Sequence, residues 1–174
     1  ARLMSVRFAI DSLDFVRNAG IHHGKIPLLE LSRLHDFLFD SEGELIYQVR
    51  GQYDIHGKPG LYLEIKGNIH LICQRCLGKL AHTVYLQTFL LLVENEAELD
   101  RNDDDNTVDA ILAAADLDIL NLIEDEIILS LSISSRHPEG ECKIHKPESN
   151  EHNLTDNAQS AHPFSALAAL KKTN

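Results

Sequence analysis

The chain has 174 residues and a mass of 19.5 kDa, with 44% hydrophobic and 25% charged residues, the composition of a globular protein and not of a disordered or fibrous one. Its formal net charge of −11 weighs against a nucleic-acid binder until the distribution is read: residues 94–132 hold 13 acidic groups and 1 basic, residues 1–93 hold 9 and 10, and residues 133–174 hold 5 and 5. No apolar run approaches the roughly 18 residues of a membrane span, the first residues lack a signal peptide's apolar stretch, and three cysteines exclude a disulfide scaffold, so the expectation is a cytoplasmic protein, not a membrane protein, with any metal held locally.

Leu3 to Ile10 alternates apolar with polar or small residues, which predicts a half-buried strand. Asp11 or Ser12 can cap a short helix with Leu13, Phe15 and Val16 on its apolar side, and Gly20 can end it in a left-handed conformation. His22-His23 beside Gly24 reads as an exposed turn, because adjacent residues seldom bind one ion together. After Pro27, Leu31, Leu34 and Leu38 stand at helical spacing and predict a second short helix.

From Glu44 to Val93 the period becomes two. Leu45, Tyr47 and Val49 face Leu61, Leu63 and Ile65 across a turn at Gly57-Lys58-Pro59-Gly60, the pattern of an antiparallel hairpin. Gly67-Asn68 could turn or bulge the returning strand, and Val84 to Val93 is apolar enough for a strand buried on both faces. Glu94 to Asn106 carries seven acidic groups and almost nothing apolar, which predicts a solvated, mobile loop. Asp116 then caps a helix over Leu117–Leu131, with Leu117, Leu120, Ile123 or Glu124, Ile127 and Leu131 on its core-facing stripe. Residues 147–162 are polar and aperiodic, and Pro163 opens a short helix with Phe164, Leu167 and Leu170 on one side and Lys171-Lys172 at its end.

The predicted architecture is α+β. A single domain spans residues 1–146, with a mostly antiparallel sheet of about five strands, short N-terminal helices and one long helix packed on it. A flexible linker over 147–162 and a short C-terminal helix over 163–174 follow.

The sharpest chemical signal is Cys73-Gln74-Arg75-Cys76-Leu77-Gly78-Lys79, because two thiolates three positions apart on a tight turn can face one tetrahedral ion. The other half of a closed zinc site is on offer beyond the long helix, where Cys142 stands between His137 and His145. Cys73, Cys76, Cys142 and one of those histidines would complete it. Three reduced thiols without a metal, or a redox pair, remain open on the residues alone, although strand-like flanks do not lower a thiol pKa as a helix N-terminus does. Lys66, Arg75 and Lys79 around the turn could contact phosphates, with Tyr62 and Tyr85 available for stacking if they face outward. Glu124-Asp125-Glu126 invites a reading as catalytic carboxylates, but consecutive helix positions point about 100° apart and do not converge on one substrate atom, so a polar face or a structural contact is expected. Phosphate cradles, nucleophile elbows and zinc-hydrolase signatures are missing, and the chain is expected not to be an enzyme.

Three segments together resemble the YceD family, the bacterial large ribosomal RNA subunit accumulation proteins. They are Cys73-Gln74-Arg75-Cys76; Asp116-Leu117 with Ile123-Glu124-Asp125-Glu126-Ile127-Ile128-Leu129 and then His137 with Cys142; and Pro163-Phe164-Ser165-Ala166-Leu167-Ala168-Ala169-Leu170-Lys171. The resemblance implies a role in the synthesis, processing or stability of 23S rRNA, with ribosomal RNA or a large-subunit ribosomal protein as partner. This chain departs from many relatives in keeping only Cys142, His137 and His145 where they carry a cysteine-rich cluster, and in lacking a Leu-Pro at Leu131-Ser132-Ile133. Beside an RNA-binding factor stand two alternatives: an acidic, chaperone-like binder of a basic ribosomal protein using residues 94–126, and a metal-dependent or redox enzyme acting on RNA.

Overall fold

The computed structural model describes residues 8–103 and 108–143. The predicted linker, the predicted C-terminal helix, His145 and most of the predicted N-terminal strand lie outside them. Of that strand, β1 (Ala9–Ile10) is described.

The two-residue periodicity builds one five-stranded sheet from β2 (Ile21–Pro27), β3 (Glu44–Tyr53), β4 (Pro59–Ile72), β5 (Lys79–Val93) and β6 (Asp109–Leu112), ordered as they occur in the chain. The first four strands pair antiparallel and β6 pairs parallel to the end of β5. Leu45, Val49, Leu61, Leu63, Ile65 and Ile69 are buried on one face, and the register puts Ile21, Ile46, Tyr62, Lys66 and Tyr85 on the other.

The inner face is covered by α1 (Ser12–Arg17), by two 3-10 turns (Leu28–Glu30 and Ser32–Leu34) and by α3 (Ile119–Ser130). In α3, Ile119, Ile123 and Ile127 recur every four residues and are fully buried, each contributing roughly 1.5–3 kcal/mol. β7 (Leu117–Asp118) pairs with β1 in a separate two-stranded sheet. Among the described residues, the outer face is covered only at one end, where α2 (Glu96–Asp103) packs and Leu91 and Val93 are buried. Elsewhere it is open: Ile21 is 61% exposed, Ile46 53% and Tyr85 59%.

The α+β expectation holds, and several local expectations are corrected. The leucines after Pro27 form 3-10 turns and not a helix. Leu28, Leu31 and Leu34 are spaced by three, which 3-10 geometry lines up on one side, and the Arg33 N–H donates to the Glu124 carboxylate, 2.7 Å away, instead of a helical carbonyl. His22 and His23 are not in a turn but within β2, opposite Val49 and Gln48, and His22 stacks on Phe8 with ring centroids 3.7 Å apart. The acidic stretch is not a loop throughout, because the Asn95 carboxamide accepts the Glu98 N–H at 2.9 Å and starts α2.

The long helix is capped by Asp118, whose carboxylate accepts from the Leu120 and Asn121 N–H groups, so it begins two residues later than predicted and ends at Ser130. Asp116 and Leu117 precede it, Leu117 being held in β7. At the end of α1 the left-handed residue is Ala19, not Gly20. Gly67-Asn68 neither turns nor bulges: β4 runs through, and a Cβ at Gly67 would lie 2.5 Å from the Leu45 side chain. The hairpin turn is Asp54–Lys58, where one Asp54 carboxylate oxygen accepts from the His56 and Lys58 N–H groups at 2.8 Å each. Pro59 already belongs to β4. Only the last four residues of β5, Leu90–Val93, are buried in succession.

Candidate functional site

The connection between β4 and β5 is the six-residue stretch from Cys73 to Gly78. The Cys73 N–H donates to the Gly78 carbonyl at 3.0 Å and the Leu77 N–H to the Cys73 carbonyl at 2.8 Å, which closes the turn. Leu77 takes the left-handed conformation with φ +58°, a position glycine would fill without strain. Gly78 sits behind the turn, where a Cβ would be 3.4 Å from the Cys76 sulfur. The chain leaving α3 returns alongside, because the Gln74 N–H donates to the Ser135 carbonyl at 2.8 Å. That contact carries His137 and Cys142 to the turn.

The four groups Cys73, Cys76, His137 and Cys142 lie within 4.8 Å of one another, with Cys73 buried. Cys73 Sγ and Cys142 Sγ are 3.8 Å apart, Cys76 Sγ is 3.4 Å from His137 Nδ1, and Cys142 Sγ is 3.8 Å from the same nitrogen. A tetrahedral zinc with bonds of about 2.3 Å to sulfur and about 2.0 Å to nitrogen has S···S edges of roughly 3.8 Å and S···N edges of roughly 3.5 Å. The spacing therefore fits such an ion, and the sulfurs are too far apart for a disulfide.

The electrostatics agree with the geometry. Burial opposes ionisation of Cys73, but the N–H groups of Cys76, His137 and Arg75 and the Cys76 thiol outweigh it and bring the Cys73 pKa down to about 5. Burial and the neighbouring sulfurs push the Cys142 thiol up. Three thiolates in so small a space need a dication to coexist, and a soft dication such as zinc prefers them. His137 Nε2 donates to the Lys79 carbonyl at 2.9 Å, which fixes the ring and aims Nδ1 at the sulfurs, as the outer partner of a metal-binding imidazole does. This donor set could hold a metal. His145 lies outside the described residues.

Beside the turn stands a network that the spacing of residues did not signal. The Asp40 carboxylate is 2.9 Å from His70 Nδ1 and 2.8 Å from Lys79 Nζ, and Lys79 lies over the Phe39 ring, 5.6 Å from its centroid. The hydrogen bonds from Lys79 and His70 pull the Asp40 pKa down to about 2.

The three cations predicted as a patch are not equivalent. Arg75 is exposed at the tip of the turn with no ion pair among the described residues, whereas Lys79 holds Asp40 and Lys66 holds Glu64 at 2.8 Å. Lys66 is opposite Tyr85 and Lys79 opposite Ile72, six positions along β4, so about 20 Å separates them. Tyr62 and Tyr85 do face outward, and each carries a cation: Arg50 lies 4.8 Å from the Tyr62 centroid and Lys66 5.3 Å from that of Tyr85.

The three carboxylates of α3 have different surroundings. Glu124 is buried against the Arg33 N–H, whereas Asp125, paired with the Arg33 guanidinium, and Glu126 both line one cleft beside β6.

Among the described residues no helix is long and apolar enough to cross a membrane. The family model for the large ribosomal RNA subunit accumulation protein YceD matches residues 61–171. No solved structure matches the chain.

Proposed function

The chain belongs to the YceD family, and from that premise we propose that it is a non-enzymatic, cytoplasmic assembly factor that supports 23S rRNA accumulation by binding ribosomal RNA across the open face of its sheet. The carrying observation is that face itself. Two outward-facing aromatic rings, Tyr85 exposed and Tyr62 half-buried, each beside a cation, lie on adjacent strands of a rigid sheet, and the surface leads along β4 and β5 to the cysteine turn with Arg75 and Lys79. Unpaired bases stack on such rings at about 1–3 kcal/mol each, and cations fixed on a sheet meet phosphates at little cost in ordering. Zinc at Cys73, Cys76, His137 and Cys142 would hold the turn in shape; its role here is structural, because all four positions are filled by protein.

Fluorescence anisotropy with 23S rRNA fragments tests the reading. Arg75→Ala with Lys79→Ala should weaken binding to all sequences alike and lower the salt slope by about two phosphate contacts, and Tyr85→Ala should weaken single-stranded fragments about tenfold. Unchanged affinity and slope in folded, metal-loaded variants would remove RNA from this face.

A further inference from the structure

The acidic half of the molecule holds a second surface, at the opposite edge of the sheet from β2. β6 is an edge strand: its outer side pairs with no strand among the described residues. A channel runs between that edge and α3, with one open cleft of about 750 Å³ and a second of about 420 Å³ sharing Ile111, Leu122 and Asp125 as lining. Val108, Ile111, Leu122 and Ile128 give it apolar walls, and Leu129, 80% exposed, stands at its rim.

The polar groups decide what fits. Asp109, Asp125 and Glu126 line the larger cleft, opposed among the described residues only by Arg33, which Asp125 already holds. Neither the Asp109 nor the Glu126 side chain has a hydrogen bond or ion pair among the described residues, and burial together with Asp109 and Asp125 raises the Glu126 pKa. The site thus repels a polyanion such as RNA and leaves a neutral apolar chain facing unpaired carboxylates. An extended cationic segment satisfies every requirement at once. Its main chain meets the free edge, its apolar side chains meet the walls, and its alternate cations meet the carboxylates.

We propose that this channel docks an extended, lysine- or arginine-rich segment of a partner protein, which adds a strand to the free edge of β6 and sets its cations against Asp109, Asp125 and Glu126. The surface is separate from the outer sheet face, so the two readings stand or fall independently.

The test uses the full chain and a capped heptapeptide of alternating lysine and valine, with a glutamate–valine heptapeptide as control. The lysine peptide is expected to bind with salt-dependent affinity, to slow exchange of the Asp109–Leu112 amides that do not bond β5, and to bind at least tenfold more weakly to Glu126→Lys. RNA affinity of that variant should stay unchanged. The charge-reversed peptide gives the same discrimination on the unaltered protein, so failure of the variant to fold leaves the outcome readable. Equal binding of both peptides, or slowed exchange only at another surface, would overturn the proposal. So would edge amides that are already protected in the free chain and unaltered by peptide, since the groove would then be filled by this chain or a second copy.

Discussion

A carboxylate that is only 3% exposed has to be hydrogen-bonded or neutralised, and Glu124 is held by the Arg33 N–H at 2.7 Å across 91 residues of sequence. Glu124→Ala leaves that N–H without its acceptor and should cost about 1–3 kcal/mol in urea denaturation, whereas Glu124→Gln, which keeps an acceptor oxygen, should cost less. Its neighbour Glu126 acts in the opposite sense. Burial and two nearby carboxylates raise its folded pKa above the ordinary 4.5, so the favourable, protonated state is fully present below that value and is lost as pH rises through the folded pKa. Glu126→Gln should therefore raise the Tm at pH 7, with the gain fading below about pH 4.5. A gain that persists at pH 3 would count against this assignment. The sequence announced the triplet but not this division, because which carboxylate turns inward depends on Arg33, far away in the chain. The cysteine pair was legible from local spacing, and His137 and Cys142 from their order. Asp40, His70 and Lys79 were not, since the pairing of β4 with β5 and the Leu38–Leu71 bridge before β3 bring them together across the chain.

At the scale of elements, periodicity located β3, β4 and β5, which carry most of the sheet's buried face, and it missed β2, β6 and β7, which have little or no buried side chain to mark them. The acidic stretch lacks apolar residues, so composition suggested a loop, yet a single cap at Asn95 was enough to start α2 with Leu99 half-buried. The leucines after Pro27 carry a spacing of three that serves 3-10 turns as well as helices, and the choice was settled by the Glu124 carboxylate. α1 meets the sheet through another local device. A Cβ at Gly51 would stand 2.7 Å from the Phe15 carbonyl oxygen and from Val16 Cα, backbone atoms that cannot swing aside. Gly51→Ala should destabilise the protein by about 1–3 kcal/mol with an unchanged m-value. Metal content should be unaffected, because the cysteine turn is at the other end of β4. A wild-type midpoint would show that α1 docks more loosely than the structure indicates.

Across the whole molecule, charge and chemistry are divided between two surfaces: the open sheet face with its cations and aromatic rings, and the acidic channel beside β6. The cysteine turn joins the sheet to the chain that leaves α3, and it does so with few other ties. After Ser130 the return segment to Lys143 contributes no fully buried residue; besides the thiols and His137, its link to the turn is the Gln74–Ser135 hydrogen bond. A dication at the four ligands would cross-link positions 61 residues apart, from Cys76 to His137, and most of its stabilisation should be local to that segment. Protein purified without chelator is expected to carry about one zinc per chain and Cys73→Ser to release it. On release, hydrogen exchange should speed up over residues 131–143 and at the turn, while the amides of Leu61–Ile65 keep their protection, because the sheet's core does not depend on the ion. Zinc at background with freely titrating thiols would reject the metal centre. Collapse of protection throughout the sheet would instead show that the ion organises the entire fold.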